Sequence, residues 1–197
     1  MIITITGGSG SGKSKLARQL KEQSGDDKVG LISLDAYYRN QSDVPAALRG
    51  NFDHPESLDT ELLCQHLDQL QSGQTIDMPV YDFTTHSRTT NTESFSPKPI
   101  MLLDGILTLA LEGVNTSTDI SVFVDTPADL RLARRLLRDV KERGRTPDDI
   151  IRQYIETVRP MHDLYVEPYK TQVDYCVDNE TDFMPNAEAL IRSLGIS

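Results

Sequence analysis

Short apolar runs divide the chain into a regular series of predicted strands. The runs are nearly continuous in Ile, Val and Leu instead of alternating with polar residues, which is typical of parallel strands buried on both faces. They cover residues 2–6, 29–34, 100–103 and 120–124, and a less distinct run covers 174–177. A parallel sheet at the centre of the protein is therefore expected.

Helical patterns separate most of these strands. One helix is indicated by its apolar spacing and ends near Gly73, while Thr126-Pro127 and Thr146-Pro147 each combine a capping residue with a proline at the first helical position. The positions that mark the first helix are Leu58, Leu62, Leu63, His66, Leu67 and Leu70. The alternation of strands and helices predicts a three-layer α/β fold, with a mostly parallel sheet flanked by helices.

Two segments, 36–57 and 75–98, interrupt this alternation. The second is rich in Pro, Thr and Ser, which indicates short strands and loops. Insertions near the carboxyl ends of strands build the binding crevice in α/β sheets. We therefore predict a single domain over residues 1–197, in which these insertions, one of them β-rich, bind an acceptor molecule.

The formal net charge of -10 limits the classes of partner. General binding of nucleic acid or of an anionic membrane relies on a cationic surface, so neither is expected. The amino-terminal segment has no basic leader, and the longest apolar stretches fall short of the roughly 18 residues that a membrane helix requires. We expect a cytoplasmic protein that acts on small molecules.

Residues 7–14 match the Gly-x-x-x-x-Gly-Lys-Ser motif of phosphate-binding loops. They follow the first predicted strand and precede a helical segment, which is the context that confirms this motif. Its glycines allow successive N–H groups to point at phosphate oxygens, and the helix N-terminus adds a favourable dipole. Lys13 is expected to reach the β- and γ-phosphates, and Ser14 to hold Mg²⁺ through its hydroxyl. The motif predicts nucleotide binding but does not separate a kinase from a GTPase or a motor ATPase. The loop consists of Gly7, Gly8, Ser9, Gly10, Ser11, Gly12, Lys13 and Ser14.

Three apolar runs end in an aspartate, at Asp35, Asp104 and Asp125. In a parallel sheet all three carboxylates lie at the ligand-bearing edge, where a kinase needs one for the Mg²⁺ shell and another near the acceptor hydroxyl. Asp125 precedes Thr126-Pro127, so we expect a structural role at a helix start. Asp104 is followed by a glycine, and we favour it for the metal shell over a loop-capping role. Composition alone leaves Asp35 open between a turn residue and a ligand contact.

Seven of the twenty Lys and Arg residues lie between positions 131 and 145. Four recur at helical spacings of three and four, and Leu132, Leu136 and Leu137 supply an apolar side, so the pattern predicts an amphipathic helix with one cationic face. A solvated face paired with nearby acids is one interpretation. Beside a phosphate-binding loop we favour a lid at about 134–150 that closes over the triphosphate. The cations are Arg131, Arg134, Arg135, Arg138, Lys141, Arg143 and Arg145.

Together these motifs resemble the uridine-cytidine kinase family, within the wider group that includes phosphoribulokinase. The similarity covers nearly the whole chain. Besides the phosphate-binding loop it is carried by Asp-Ala-Tyr-Tyr at 35–38, Asn-Phe-Asp-His-Pro at 51–55, Pro-Val-Tyr-Asp-Phe at 79–83, His-Ser-Arg at 86–88, Asp-Gly-Ile-Leu at 104–107 and the segment from Arg-Asp-Val-Lys-Glu-Arg-Gly-Arg at 138–145 through Gln-Tyr at 153–154. The combination is far more specific than the loop alone.

The resemblance implies phosphorylation of the ribose 5′-hydroxyl of uridine or cytidine, with ATP or GTP as donor, Mg²⁺ as cofactor and a homo-oligomer, commonly a tetramer. It assigns Asp35 as general base. From the loop motif and the arginine cluster we expect Lys13 and Arg138 to be the other catalytic residues, and Arg135 and Arg138 to contact the donor phosphates. Tyr81 and Phe83 would sandwich the pyrimidine, and His86 would read a base edge. The implied substrate-binding residues are Asp35, Tyr38, Asp53, Tyr81, Phe83, His86, Arg138, Arg143, Arg145 and Gln153.

Two departures from the family pattern keep other functions open. The family usually has glutamate where this chain has Asp104, and a cationic Pro-Arg-Gly-Gly where residues 176–181 read Cys-Val-Asp-Asn-Glu-Thr. The first bears on Mg²⁺ affinity and the second on the choice of donor. A kinase of another small alcohol, such as a phosphorylated pentulose, and a nucleotide-binding regulatory protein are the alternatives.

Overall fold

A parallel sheet forms the centre of the protein in the computed structural model, which describes residues 1–180 and 184–195. The strands are β1 Ile2–Thr6, β2 Val29–Ser33, β3 Ile76–Asp82, β4 Ser87–Phe95, β5 Ile100–Asp104, β6 Ile120–Asp125 and β7 Tyr175–Asp178. The helices are α1 Lys13–Ser24, α2 Thr60–Gln71, α3 Glu112–Thr116, α4 Ala128–Arg143, α5 Pro147–Gln153, α6 Arg159–Tyr165 and α7 Met184–Leu194. A π-helical segment, Tyr154–Val158, joins α5 to α6.

The five strands of the central sheet run parallel in the order β2-β5-β1-β6-β7. The register pairs Ser33 and Ile5 with Asp104, so the strands end together at one edge. The predicted α/β fold with a mostly parallel sheet is confirmed, and each predicted strand lies within two residues of an observed one. Continuous apolar sequence predicted these strands well because both faces of the sheet are covered.

Two apolar clusters lie on the two faces of the sheet. Alternate residues of β1 divide between them, with Ile2 in one cluster and Ile3 and Ile5 in the other. The first cluster packs against α2 through Leu63 and Leu67, and the second packs against α1. The sheet edge that carries the phosphate-binding loop is thereby held between two apolar layers.

The two predicted helix starts have different outcomes. Thr146 accepts a hydrogen bond from the backbone N–H of Asp149 and caps α5, as expected. The expectation for Thr126 was wrong. Its hydroxyl donates instead to the carbonyl oxygen of Ser11 at 2.9 Å, and α4 begins at Ala128 without a side-chain cap. Thr126 therefore supports the phosphate-binding loop.

An antiparallel hairpin stands apart from the central sheet. It consists of β3 and β4, which pair from Ile76 with Phe95 to Asp82 with Ser87. Residues 34–58 form short 3-10 turns and loops, and an isolated bridge joins Tyr38 to Leu58. These are the two segments that interrupted the predicted alternation. Across the described ranges, no helix is both long and apolar enough to cross a membrane.

Candidate active site

The phosphate-binding loop has the backbone conformation that its glycines permit. Gly7, Gly10 and Gly12 have φ angles of 144°, 83° and 95°, values that other residues rarely adopt. Gly12 is the residue before α1, so the loop leads directly into the helix N-terminus. Unpaired N–H groups and the helix dipole favour an anion at this position.

Arginine side chains of α4 pack directly on this loop. A Cβ atom at Gly10 would lie 2.3 Å from the backbone oxygen of Arg131, and one at Gly8 would lie 2.3 Å from its Nη1 atom. Arg135 donates from Nη1 to the hydroxyl of Ser9 at 2.7 Å. The glycines are thus needed for close approach as well as for their φ angles.

Asp104 lies at the end of β5 with its side chain almost fully buried. Burial raises the pKa of this carboxyl, while Lys13 and a hydrogen bond from Ser14 lower it in part. Its Oδ1 atom is buried and has no hydrogen-bond partner among the described residues. An unsatisfied carboxylate oxygen beside a serine hydroxyl is a donor set that suits Mg²⁺, which binds a few protein oxygens and keeps water or phosphate as its other ligands. Ser14 and Asp104 therefore fit the ion that the family implies.

A cavity of about 330 Å³ opens next to the loop. Its walls combine acidic, basic and aromatic side chains, the mixture expected where a polar ligand with a flat ring is bound. The lining residues are Ser9, Lys13, Asp35, Tyr38, Phe52, Asp53, Phe83, Thr84, His86, Ile106, Arg135, Arg138, Arg143, Arg145 and Gln153. All predicted substrate-binding residues except Tyr81 are in this set.

Two carboxyl groups face the cavity from different loops. Asp35 belongs to the 3-10 turn Leu34–Tyr37 that follows β2, and Asp53 belongs to the loop before α2. Burial raises the pKa of Asp53, Arg135 lowers it in part, and the charge of Asp35 raises it further. The cavity therefore holds two acids, and burial disfavours the ionised form of Asp53.

Aromatic rings form one wall of the cavity. The Tyr38 ring lies 5.4 Å from that of Tyr81 and 5.7 Å from that of Phe52, and the Phe52 ring stacks on His86 at 4.9 Å. His86 has a φ of 52°, in the left-handed region, so the tip of the hairpin is strained where it presents this ring.

The predicted sandwich of Tyr81 and Phe83 does not occur. Their rings meet at 74° with centroids 5.3 Å apart, which leaves no space for a flat base between them. Tyr81 is buried behind Tyr38, and burial raises the pKa of its hydroxyl to about 12. Tyr81 therefore packs behind the aromatic wall of the cavity. Phe83 lines the cavity, and the guanidinium of Arg143 lies over its ring, 4.7 Å from the ring centroid.

The arginines of the cavity converge on one buried carboxylate, Asp139. Its side chain is 0% exposed, its Oδ1 atom accepts a hydrogen bond from Nε of Arg138 at 2.8 Å, and Nη2 of Arg138 lies 2.8 Å from the same oxygen. Guanidinium nitrogens of Arg135 and Arg143 lie 3.6 Å from it, and one of Arg145 lies 3.9 Å away. One negative charge thus holds four cations side by side, although like charges would otherwise repel one another.

Gln153 provides a second link within this group. Its Oε1 atom accepts hydrogen bonds from Arg135 at 2.9 Å and from Arg145 at 2.5 Å. Arg135 belongs to α4, and Arg145 lies between α4 and α5. The amide therefore joins the end of α5 to the arginine cluster.

The expectation for the faces of α4 was wrong in one respect. The buried residues of this helix are Arg131, Arg135 and Asp139, whereas Leu137 is 73% exposed. The cationic side faces inward because the carbonyl of Thr126, the hydroxyl of Ser9 and the carboxylate of Asp139 supply polar partners for it. Gly144 ends the helix in the left-handed conformation and donates its N–H to the carbonyl of Asp139.

Asp125 is also placed differently from the prediction. Its carboxylate accepts from the ammonium group of Lys170 at 2.8 Å instead of standing at the start of α4. Within the acidic loop after β7, Asn179 is buried and donates from Nδ2 to the carbonyl of Ser11 at 2.5 Å. This loop therefore contacts the phosphate-binding loop; Thr181, the last residue of the predicted acidic stretch, lies outside the described residues.

Sequence reasoning missed several residues of the site. Phe52, Thr84 and Ile106 line the cavity, and Asp139 organises the arginines. Phe52 lies inside the motif at 51–55, so its aromatic character beside Asp53 was the available signal. Ile106 lies inside the motif at 104–107, but its apolar side chain did not distinguish a cavity residue from a core residue.

Known proteins resemble this chain over most of its length. The model of the phosphoribulokinase / uridine kinase family matches residues 2–183. A uridine kinase of Deinococcus deserti is 47% identical over 178 residues, which are 89% of this chain and 86% of that protein. A uridine kinase of Geobacillus kaustophilus is 43% identical over 90% of this chain and 85% of its own length.

Solved structures share the fold at lower sequence identity. A possible uridine kinase from Bacillus stearothermophilus has a TM-score of 0.66 at 19% identity, covering 89% of this chain and 87% of that one. D-glycerate 3-kinase from Cryptococcus neoformans has a TM-score of 0.64 at 17% identity over 84% and 78% of the two chains. The family match over nearly the whole sequence decides the assignment: the chain belongs to the phosphoribulokinase / uridine kinase family.

Proposed function

We propose that the protein transfers the γ-phosphoryl group of ATP or GTP to the ribose 5′-hydroxyl of uridine or cytidine. The observation that carries this proposal is that one cavity is lined by Lys13 of the phosphate-binding loop, by Asp35 and by an aromatic wall that includes Phe83 and His86. A nucleoside has a hydroxyl, a ribose and a flat base, and the cavity offers a matching group for each. The similarity to two uridine kinases above 40% identity supports the same substrate class.

Asp35 is the proposed general base. It lies in the same cavity as Lys13, so an acceptor hydroxyl beside Asp35 would lie near the phosphate to be transferred. Removing the hydroxyl proton as the new O–P bond forms contributes about 10²–10⁴-fold in rate. Asp53 is proposed to accept hydrogen bonds from ribose hydroxyls, since it enters the cavity from a separate loop.

Charge stabilisation comes from Lys13 and from the arginine cluster. Phosphoryl transfer depends mostly on positioning and on neutralising the charge of the phosphoryl oxygens. Arg135 and Arg138 line the cavity beside Ser9 of the loop, which suits contacts with the transferred phosphate. Bound Mg²⁺, held by Ser14 and Asp104, would neutralise charge on the β- and γ-phosphates. Arg143 and Arg145 are proposed to close over the substrates as part of a lid.

A panel of acceptors tests the proposal. Uridine, cytidine, ribulose 5-phosphate and pantothenate are each added to the protein, and the melting temperature is measured. A ligand at about 100 times its Kd stabilises the fold by about 2.7 kcal/mol, a shift of roughly 5–10 °C for a chain of this size. Uridine or cytidine should raise the melting temperature. A rise with ribulose 5-phosphate alone would contradict the proposed acceptor and favour a phosphorylated sugar instead.

Asp35→Asn tests the assigned base. We expect turnover to fall by about 10²-fold or more, because the amide cannot accept the proton, with the KM for the donor near that of the wild type. Asp43→Asn, an exposed aspartate of a neighbouring loop, is the matched control. Retained turnover in Asp35→Asn would remove this residue from the role.

A cytoplasmic homo-oligomer remains our proposal for the state of the protein. It rests on the resemblance to the family, whose members are commonly tetramers. Light scattering during size exclusion measures the mass, which should be a multiple of 22.0 kDa. A mass of one chain at micromolar concentration would contradict it.

A further inference from the structure

Arg88 lies in the hairpin strand β4 and is not among the residues that line the cavity. Its guanidinium nevertheless makes three hydrogen bonds of 2.9 Å to the segments behind the site. Nε donates to the carbonyl of Tyr38, Nη2 to the carbonyl of Tyr37, and Nη1 to the carboxylate of Asp59. A guanidinium presents its donors in a rigid plane, so these three contacts fix the relative positions of three acceptors.

The two carbonyls belong to the turn that carries the proposed base. Tyr37 ends the 3-10 turn that contains Asp35, and the N–H of Tyr38 donates to the carbonyl of Asp35 at 3.4 Å. That last bond is long and therefore weak, so the turn depends on contacts from outside. Arg88 supplies two of them, and the N–H of Asp59 supplies a third by donating to the carbonyl of Tyr37 at 2.8 Å.

The same guanidinium joins the turn to the wall of the cavity. Arg88 lies in the hairpin that carries Phe83 and His86 at its tip, and its N–H donates to the side chain of Asn40 at 2.9 Å. Asp59, its charged partner, caps the N-terminus of α2. Hairpin, turn and helix thus meet at one side chain that is 20% exposed.

We propose that Arg88 is a positioning residue that sets the location of Asp35 and Tyr38 relative to the nucleoside. It acts through the carbonyls of Tyr37 and Tyr38 and does not touch the substrates. We call the three hydrogen bonds of Arg88 the clamp. A displacement of about 1 Å in a catalytic group lowers turnover by about 10²-fold, so loss of the clamp should slow the reaction with the acceptor strongly even though Arg88 does not line the cavity. The inference rests on the proposed nucleoside kinase activity.

Arg88→Ala and Arg88→Lys are assayed with both substrates varied. We expect kcat/KM for the nucleoside to fall about 10²-fold in Arg88→Ala and about tenfold or more in Arg88→Lys, because an ammonium group cannot serve three coplanar acceptors. The KM for ATP should change less than twofold, since Arg88 contacts neither the phosphate-binding loop nor α4. Guanidinium ion at millimolar concentration should restore part of the kcat of Arg88→Ala.

Arg39→Ala is the matched control. Arg39 also approaches Asp59, at 3.6 Å, and donates to the carbonyl of Leu58, but it bonds to neither tyrosine carbonyl. Its kcat/KM should stay within threefold of the wild type, and guanidinium should not raise it. The proposal would be overturned if kcat/KM of Arg88→Lys also stayed within threefold of the wild type, or if Arg88→Lys lost affinity for ATP in parallel with its loss for the nucleoside. Arg88→Lys serves for this test even where Arg88→Ala does not fold.

Hydrogen exchange separates failure of this inference from failure of the proposed function. Exchange at the amides of Tyr38 and Asp59 needs no turnover, and Arg88→Lys should accelerate it at both while leaving α1 unchanged. An inactive wild type with accelerated exchange in the variant would refute the nucleoside kinase and retain the clamp. Unchanged exchange at both amides would refute the clamp itself.

Discussion

Replacing Asp139 with asparagine removes the one negative charge that four arginines share. The variant keeps the shape of the side chain and one oxygen acceptor, so Arg138 can still donate to it, but the two contacts of 2.8 Å lose their charge assistance. It also removes one of the two carboxylates near the guanidinium of Arg135, which is 7% exposed, and leaves only Asp53. The expected result is a less stable protein whose arginines repel one another.

The magnitude follows from burial. Removing one partner of a buried ion pair costs about 3–5 kcal/mol. The lower value applies here because Arg138, Arg143 and Arg145 are each about a third exposed and solvent screens part of their charge. A loss of about 3 kcal/mol corresponds to a decrease of roughly 6–12 °C in melting temperature for a chain of this length.

Thermal and urea denaturation of the protein without ligands measure this loss. Asp129→Asn is the control, because Asp129 lies in the exposed first turn of the same helix, where its charge is worth about 0.3–1 kcal/mol. ATP supplies the missing negative charge, so it should raise the melting temperature of Asp139→Asn by more than that of the wild type. A variant that melts within 1 °C of the wild type would refute the role given to Asp139.

Two further predictions concern buried groups at the site. Burial raises the pKa of Asp53, so between its ordinary value of 3.8 and its folded value the native protein binds more protons than the unfolded chain, and stability falls as pH rises through that window. Asp53→Asn should therefore melt above the wild type at pH 7 without ligand, with a difference that disappears below pH 4; an unchanged difference would contradict the sign. Asn179→Ala removes a buried hydrogen bond to Ser11 worth about 1–2 kcal/mol, and it should raise the KM for ATP several-fold but not that for the nucleoside. Equal changes in both constants would show a general loss of structure.

The sequence predicted those parts of the molecule whose physical cause is local. A strand buried on both faces is a continuous apolar run, and the phosphate-binding loop needs its glycines and Lys13 at fixed spacing, so both are visible in one segment. Thr146 with Pro147 likewise forms its cap within four residues. For these features the interacting groups all lie within the same short segment of the sequence.

The errors concern residues whose partners lie far away in sequence. Thr126 has the pattern of a helix cap, but the carbonyl of Ser11, 115 positions earlier, takes its hydrogen bond. Arg131 and Arg135 belong to a polar face that would be exposed on an isolated helix, yet Thr126, Ser9 and Asp139 provide the polar partners that allow this face to be buried. No periodicity in α4 contains this information.

The resemblance supplied what spacing could not. Asp35, Asp53 and His86 come from three separate segments, and only the family pattern joined them before the structure placed them around one cavity. The pattern did not determine geometry, since Tyr81 and Phe83 meet edge to face. Arg88 belongs to the same motif as His86, but its role became visible only through its contacts with Tyr37 and Tyr38.

The most direct test of the account is the formation of ADP from Mg-ATP with and without uridine or cytidine, repeated with GTP, with the product identified by mass. The account predicts nucleoside-dependent turnover and a nucleoside monophosphate, which would also show that Asp104 serves in place of the longer glutamate. Tight binding of the nucleotide without turnover on either nucleoside would contradict it.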